Sequence, residues 1–184
     1  MRILGIDPGL TRCGLGVIDA AGARRVSLVH VSAATSPTTA DTPVRIATLA
    51  DAIEAVLDEH RPDAVALERV FAQANVSTVM GTAQISGVVM LLAQRRGLPV
   101  TLYTPSEVKA AVSGNGRAEK AQVGYMVSRV LGLASPPKPA DAADALAIAI
   151  AHAWRGAAAP VGTQGTTAAQ RLWAQAERDA RRRG

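Results

Sequence analysis

A single cysteine, Cys13, stands in a chain of 184 residues. That excludes an intramolecular disulfide and any paired-cysteine zinc set, and it fits a reducing, cytoplasmic setting. Aromatic residues are scarce at 3%, so the core must be built from aliphatic side chains, and Phe71, the only phenylalanine, falls in a loop rather than in a core pattern. No apolar run approaches the ~18 residues that a membrane helix needs. The N-terminus reaches Asp7 and Pro8 too early for the apolar centre of a signal peptide.

What is present is charge, unevenly spread. Residues 1 to 68 carry six arginines against nine acids, a balance of −3, whereas residues 69 to 138 carry eight basic residues against Glu107 and Glu119, a balance of +6. An acidic first third beside a basic middle suggests carboxylates gathered for a metal while a neighbouring face meets a polyanion. A solvated basic surface accounts for the charge alone equally well.

The pattern of elements is α/β. Residues 2 to 7, 14 to 18 and about 25 to 33 read as three strands of a meander. Thr42 as N-cap and Pro43 at the first helical position then open an amphipathic helix through Ile46, Leu49, Ile53, Val56 and Leu57 that ends near His60. Ala64-Val65-Ala66-Leu67, closed by Glu68, is a buried strand, followed by a helix over 76 to 95 and a strand over 98 to 103. Thr104-Pro105-Ser106-Glu107 has the form of a capping box before a short helix. Helices over 118 to 131 and 140 to 153 complete a mixed five-stranded sheet with helices on both faces. One domain over residues 1 to 153 and a basic, flexible tail over 154 to 184 are expected, the competing arrangement being a docked helix through Leu172, Trp173 and Ala176.

The chemistry lies in where the acids fall. Asp7 and Glu68 end strands that are otherwise apolar, where a carboxylate is costly unless something compensates for its lost hydration. Asp141 and Asp144 open a helix at i, i+3 spacing, which puts both on one face. Each acid taken alone has an ordinary explanation, a solvated strand end or a favourable helix dipole. Together they form an oxygen-only donor set that suits Mg²⁺, or Mn²⁺ in its place, rather than zinc. Two such ions about 4 Å apart can activate water and stabilise the leaving oxygen of a phosphodiester.

Four stretches carry a resemblance: Gly5-Ile6-Asp7-Pro8-Gly9-Leu10-Thr11-Arg12-Cys13-Gly14, Leu67-Glu68-Arg69-Val70-Phe71, Ala118-Glu119-Lys120-Ala121-Gln122-Val123 and Asp141-Ala142-Ala143-Asp144-Ala145-Leu146-Ala147. In order and spacing they closely resemble the bacterial RuvC Holliday junction resolvases, over residues 1 to about 153. The resemblance implies a ribonuclease H-like fold, a homodimer, Mg²⁺-dependent paired nicking of four-way DNA junctions, products with 5′-phosphate and 3′-hydroxyl ends, and RuvA and RuvB as partners. By position it makes Asp7, Glu68, Asp141 and Asp144 the metal-binding catalytic carboxylates. Lys109 and Lys120 match basic residues beside the scissile strand, and Phe71 an aromatic that stacks on a junction base. Arg69 and Arg117 complete the expected DNA-binding set. One departure is that many relatives carry a basic residue in a Gly-Gln-Ala-Arg-Gly stretch where this chain reads Thr82-Ala83-Gln84-Ile85-Ser86-Gly87.

Two other functions compete. The Gly-Ile-Asp-x-Gly-x-Thr opening also resembles the phosphate loop of actin-like ATPases and sugar kinases, but one domain of 184 residues cannot enclose ATP between two lobes. A ribonuclease H-like RNA-processing nuclease and a non-catalytic junction-binding protein both remain compatible with the residues.

Overall fold

The computed structural model describes residues 1–22, 24–69 and 76–157. Five strands form one mixed sheet: β1 (Arg2–Asp7), β2 (Arg12–Ala21), β3 (Arg25–Thr35), β4 (Ala64–Glu68) and β5 (Val100–Tyr103), in the spatial order β3-β2-β1-β4-β5. The first three pair as an antiparallel meander, while β4 runs parallel to β1 and β5 parallel to β4. Parallel neighbours require crossovers. Helices α1 (Thr42–His60) and α2 (Val76–Arg95) lie in those connections. The chain then closes with α3 (Pro105–Ser113), α4 (Lys120–Val130) and α5 (Ala140–Ala157).

Alternation along the strands divides the core in two. Leu4 and Ile6 of β1, Leu15 and Val17 of β2, and Val65 and Leu67 of β4 pack with Leu49 and Ile53 of α1 and Ile85 and Val89 of α2. Ile3, Ile18 and Ala66 point the other way, into a core with Val108, Val123, Leu146 and Ile150 from α3, α4 and α5. Because β1 and β4 are covered on both faces, they read as continuous apolar runs rather than as alternating ones. The period of two also places Asp7 and Glu68 on the same side of the sheet as Ile3 and Ala66, the side on which α5 lies.

That helix comes unusually close to the sheet. A Cβ on Gly5 would stand 2.1 Å from the Ala145 carbonyl oxygen, and one on Gly14 would stand 2.0 Å from that of Asp141. Gly5 pairs with Gly16, and Asp7 with Gly14, so the two strands present a bare strip beneath α5. The helix answers with Ala142, Ala145 and Ala149, all buried. Small residues on both partners bring the first turn of α5 down beside Asp7.

The elements match the sequence reading in order and number, with differences at their ends; β3 reaches Thr35 rather than 33, and α4 spans Lys120–Val130 rather than 118 to 131. β2 runs from Arg12 to Ala21, longer than 14 to 18, and pairs with β3 through a register shift at Val17/Ile18. β5 begins at Val100 rather than 98. The N-cap of α1 is Asp41, not Thr42, and its side chain makes no capping bond; Pro43, which needs no amide partner, occupies the first turn instead. α5 continues past residue 153 to Ala157. Its extension is anchored: the Trp154 indole donates to the Arg24 carbonyl at 3.0 Å, and Arg155 pairs with Glu107 at 3.0 Å. Trp154 and Arg155 therefore pack with the folded domain, while residues 158–184, including the segment around Trp173, lie outside the described residues.

Candidate active site

The carboxyl ends of the parallel strands β1 and β4 lie side by side, because Ile6 pairs with Leu67 and the acids follow one step later. Asp7 and Glu68 are thereby brought close enough for each to act on the other's ionisation. Burial pushes the Asp7 carboxyl up to about 8, reinforced by the charges of Glu68 and Asp144. Glu68 is raised as well, mainly by burial. Two neighbouring, half-buried carboxyls favour holding a proton over ionising together.

The helix acids behave differently. Asp144 reaches the strand pair closely enough to act on both of its members, and its own Oδ2 accepts from the Lys120 ammonium at 2.8 Å. Asp141 accepts from the Arg12 guanidinium at 3.0 Å. Among the described residues no three acidic, histidine or cysteine side chains converge as a ready ligand group. Asp144 lies within electrostatic reach of Asp7 and Glu68, and Asp141 is paired with Arg12. The donor chemistry nevertheless fits a hard divalent cation: every donor is a carboxyl oxygen, and the half-buried pair stays raised despite the nearby charge of Lys120, so added positive charge would favour its ionised form.

A cavity of about 70 Å³ opens beside the cluster, lined by Glu68, Asp144, Lys109 and Lys120 over an apolar floor of Val108, Val123 and Ile148. Lys109 is placed there by α3, whose start is fixed by a complete capping box. The Glu107 amide donates to Thr104 Oγ1 at 3.2 Å, and the Thr104 amide donates to Glu107 Oε2 at 2.8 Å. Such a cap is worth about 1 kcal/mol. Behind the strand end, Tyr103 pairs with Glu68 in the sheet, and its hydroxyl lies 3.0 Å from His152 Nδ1. His152 thus sits in a supporting layer rather than at the acids.

Of the remaining candidates, Arg69 follows Glu68 directly and is exposed, its amide donating to the Tyr103 carbonyl. Arg117 is exposed in the link between α3 and α4. Neither lines the cavity. Phe71 lies outside the described residues. Ser86 is buried at 4% exposure, and its hydroxyl donates back to the Thr82 carbonyl, so it offers no surface contact in place of the basic residue of relatives. Cys13 is a core residue whose thiol burial pushes up to about 12. Sequence reasoning does not single out Arg12. The available signal is its place, five residues beyond Asp7 at the start of the partner strand, where a hairpin returns the chain to the same sheet end.

Acids at the ends of two adjacent parallel strands, met by acids from a helix crossing the same face of a five-stranded sheet ordered β3-β2-β1-β4-β5, define the ribonuclease H-like class of nuclease folds. The family described as crossover junction endodeoxyribonuclease RuvC matches residues 3–152, and the chain belongs to it. Among curated relatives, the crossover junction endodeoxyribonuclease RuvC of Frankia alni is 63% identical over 158 residues, covering 86% of this chain and 80% of the relative. That of Paenarthrobacter aurescens is 54% identical across 100% of this chain and 98% of its own. The solved structure of T. thermophilus RuvC in complex with Holliday junction substrate superimposes with a TM-score of 0.81 at 36% identity, covering 86% of this chain and 96% of that one. Family membership brings a general dependence on divalent metal.

Proposed function

We propose that this protein resolves four-way DNA junctions by paired, symmetric nicks, hydrolysing phosphodiesters with Mg²⁺ to leave 5′-phosphate and 3′-hydroxyl ends. The observation that carries this is the half-buried Asp7–Glu68 pair flanked by Asp144 and two lysines, in a chain that aligns along its whole length with a RuvC relative. Asp7, Glu68, Asp141 and Asp144 would hold the metal, two ions per site. When bound, the ions supply Lewis acidity and neutralise charge developing at the phosphodiester. The chain's own residues do the rest. Asp7 and Glu68, both raised by burial, would ionise together once the cations they hold offset their charge. Lys120 leaves Asp144 for a backbone phosphate, and Lys109, on the opposite cavity wall, steadies the same strand. Arg69, Arg117 and Phe71 extend the DNA contact beyond the cavity.

Two opposed cuts in one junction need two copies of the site. α2 supports a homodimer: Met80, Met90 and Leu91 are exposed on it, and Gly87, between them on the same stripe, faces open space. Gly81, by contrast, packs inward, where a Cβ would stand 2.9 Å from Leu10. Partnership with RuvA and RuvB and a cytoplasmic location complete the proposal; among the described residues no helix is long and apolar enough to cross a membrane.

The test is a side-by-side assay of junction, duplex DNA and RNA–DNA hybrid with Mg²⁺, using wild type and Asp7→Asn. Symmetric junction nicks lost in the variant are expected. Preferential cutting of the hybrid would select the RNA-processing alternative, and junction binding without cleavage the non-catalytic one.

A further inference from the structure

Beside the acid cluster, on the α1/α2 side of the β1–β2 turn, runs a groove of about 710 Å³. Its walls carry hydroxyl and amide groups, including Thr11, Thr42, Thr82 and Gln84, and two cations, Arg12 and Arg45; its one acid is Asp141, at the end that meets the metal site. The two arginines differ in what holds them.

Arg45 is bound by neutral groups. Its Nε donates to Ser36 Oγ at 3.1 Å and its Nη2 to Thr11 Oγ1 at 2.8 Å. Ser36 is itself buried at 5% exposure and donates to the Leu10 carbonyl, so the guanidinium rests on a rigid mount. Among the described residues no carboxylate pairs with Arg45, whereas Arg2 and Arg155 each have one and Arg96 has two. A half-buried cation oriented by hydroxyls, with its Nη1 donors unclaimed, is preorganised for an anion. Arg12 has a carboxylate partner, Asp141, but both side chains are partly open to water, which makes the pair easy to exchange.

We propose that this groove is a second phosphodiester seat, in which Arg45 is the fixed ligand of a DNA backbone phosphate and Arg12 exchanges Asp141 for that phosphate. The inference rests on the junction-resolving function proposed above and deepens it. Asp144 lines the cavity and Asp141, one turn earlier on α5, lines the groove, so the two spaces meet along that helix, and threonine hydroxyls and forked guanidinium groups are donors suited to phosphate oxygens. The exchange leaves each charge compensated. Arg12 passes from carboxylate to phosphate, and Asp141 becomes available to a metal cation only where DNA is seated.

The experiment uses the full chain with Asp144→Asn to prevent cutting, and measures the affinity for a synthetic four-way junction and for a linear duplex between 50 and 200 mM NaCl. Arg45→Ala should weaken binding and make the log–log salt slope shallower by about 0.9, the loss of one phosphate contact. Arg45→Gln, which keeps a hydrogen-bonding side chain but no charge, should lose the same slope, and Arg45→Lys should keep it. An unchanged slope in a folded Arg45→Gln protein overturns the seat. If wild type fails to prefer the junction over the duplex, the junction-resolving proposal falls, and the slope on the duplex still decides the groove. For the exchange, Mn²⁺ alone is titrated calorimetrically without DNA. Arg12→Ala should bind it several-fold more tightly than Arg12, and equal affinity overturns that part.

Discussion

The strand acids and the helix acids are built on opposite principles. Asp7 and Glu68 stand side by side at the ends of a buried sheet, both raised chiefly by burial, and among the described residues no lysine or arginine pairs directly with either. Asp141 and Asp144 each carry a cation of their own, Arg12 and Lys120. The first pair is left with its repulsion, whereas the second has its charge satisfied by neighbouring cations. On the proposed function, a metal would relieve the first and a substrate phosphate would draw the cations from the second.

The largest effects should come from breaking the strand half. Asp7→Asn and Glu68→Gln are expected to reduce junction cleavage by at least about a hundredfold, with binding little changed because affinity comes from phosphate contacts. Single-turnover rates and gel-shift affinities check both sides. The same substitution separates activity from stability. Asp7 has its carboxyl raised above its unfolded value to about 8, so the stability it contributes in metal-free protein is present at low pH and lost as pH rises toward 8. Asp7→Asn removes that loss. In EDTA at pH 8 the inactive variant should melt at a higher temperature than wild type, with the difference shrinking toward pH 4. A variant that melts lower across this range would show that the pair is not under mutual repulsion.

Next comes the contact that brings the halves together. Gly14→Ala places a methyl against the Asp141 backbone, which α5 must move to accommodate. A stability loss of about 1 to 3 kcal/mol is expected from overpacking, together with a fall in cleavage larger than stability explains, since Asp141 moves with the helix. Denaturant melts and single-turnover rates on the folded fraction separate the two. Lys120→Ala should act more weakly on the fold, because its ion pair with Asp144 is exposed. Its expected signature is a junction salt slope shallower by about 0.9, the mark of one lost phosphate contact.

Much of this architecture is legible in the amino-acid sequence. Strands that end in Asp7 and Glu68 can be read because burial on both faces leaves a polar residue conspicuous. Asp141 and Asp144 can be read because their spacing is helical and alanines surround them. The capping box at Thr104 is legible because capping is local chemistry. What is not legible depends on contacts between distant segments. Nothing in the local sequence says that Gly5 and Gly14 lie under Ala145 and Asp141, since glycine in a strand is explained as readily by a bulge or a turn. The continuation of α5 to Trp154 and Arg155 is hidden for the same reason: Trp154 is held by the Arg24 carbonyl and Arg155 by Glu107, partners 130 and 48 residues away. Arg12, too, reads as an ordinary turn residue as long as its partner 129 residues away is out of view.

The smallest expected effect tests the layer behind the strand acids. His152 is partly buried beneath the sheet, its Nδ1 is 3.0 Å from the Tyr103 hydroxyl, and desolvation holds its imidazole below the ordinary histidine range. Tyr103 pairs with Glu68 across the sheet, so the imidazole supports the strand end from which Glu68 projects. A neutral imidazole can accept the tyrosine proton, whereas an imidazolium cannot. Because the folded pKa is depressed, this contribution to stability is fully present above the unfolded value near 6.5 and is lost as pH falls through it toward the folded pKa. His152→Gln keeps a hydrogen-bonding group and removes the titration. Wild type should therefore lose stability from pH 7.5 to 5.5 more steeply than His152→Gln, by a margin reduced by the solvent that reaches the ring. Denaturant midpoints at the two pH values measure that margin, and parallel slopes would mean that the imidazole titrates as freely in the fold as in the unfolded chain. The site acids contribute with the opposite sign over the same interval, so the comparison is made in the Asp7→Asn background, where that term is smallest.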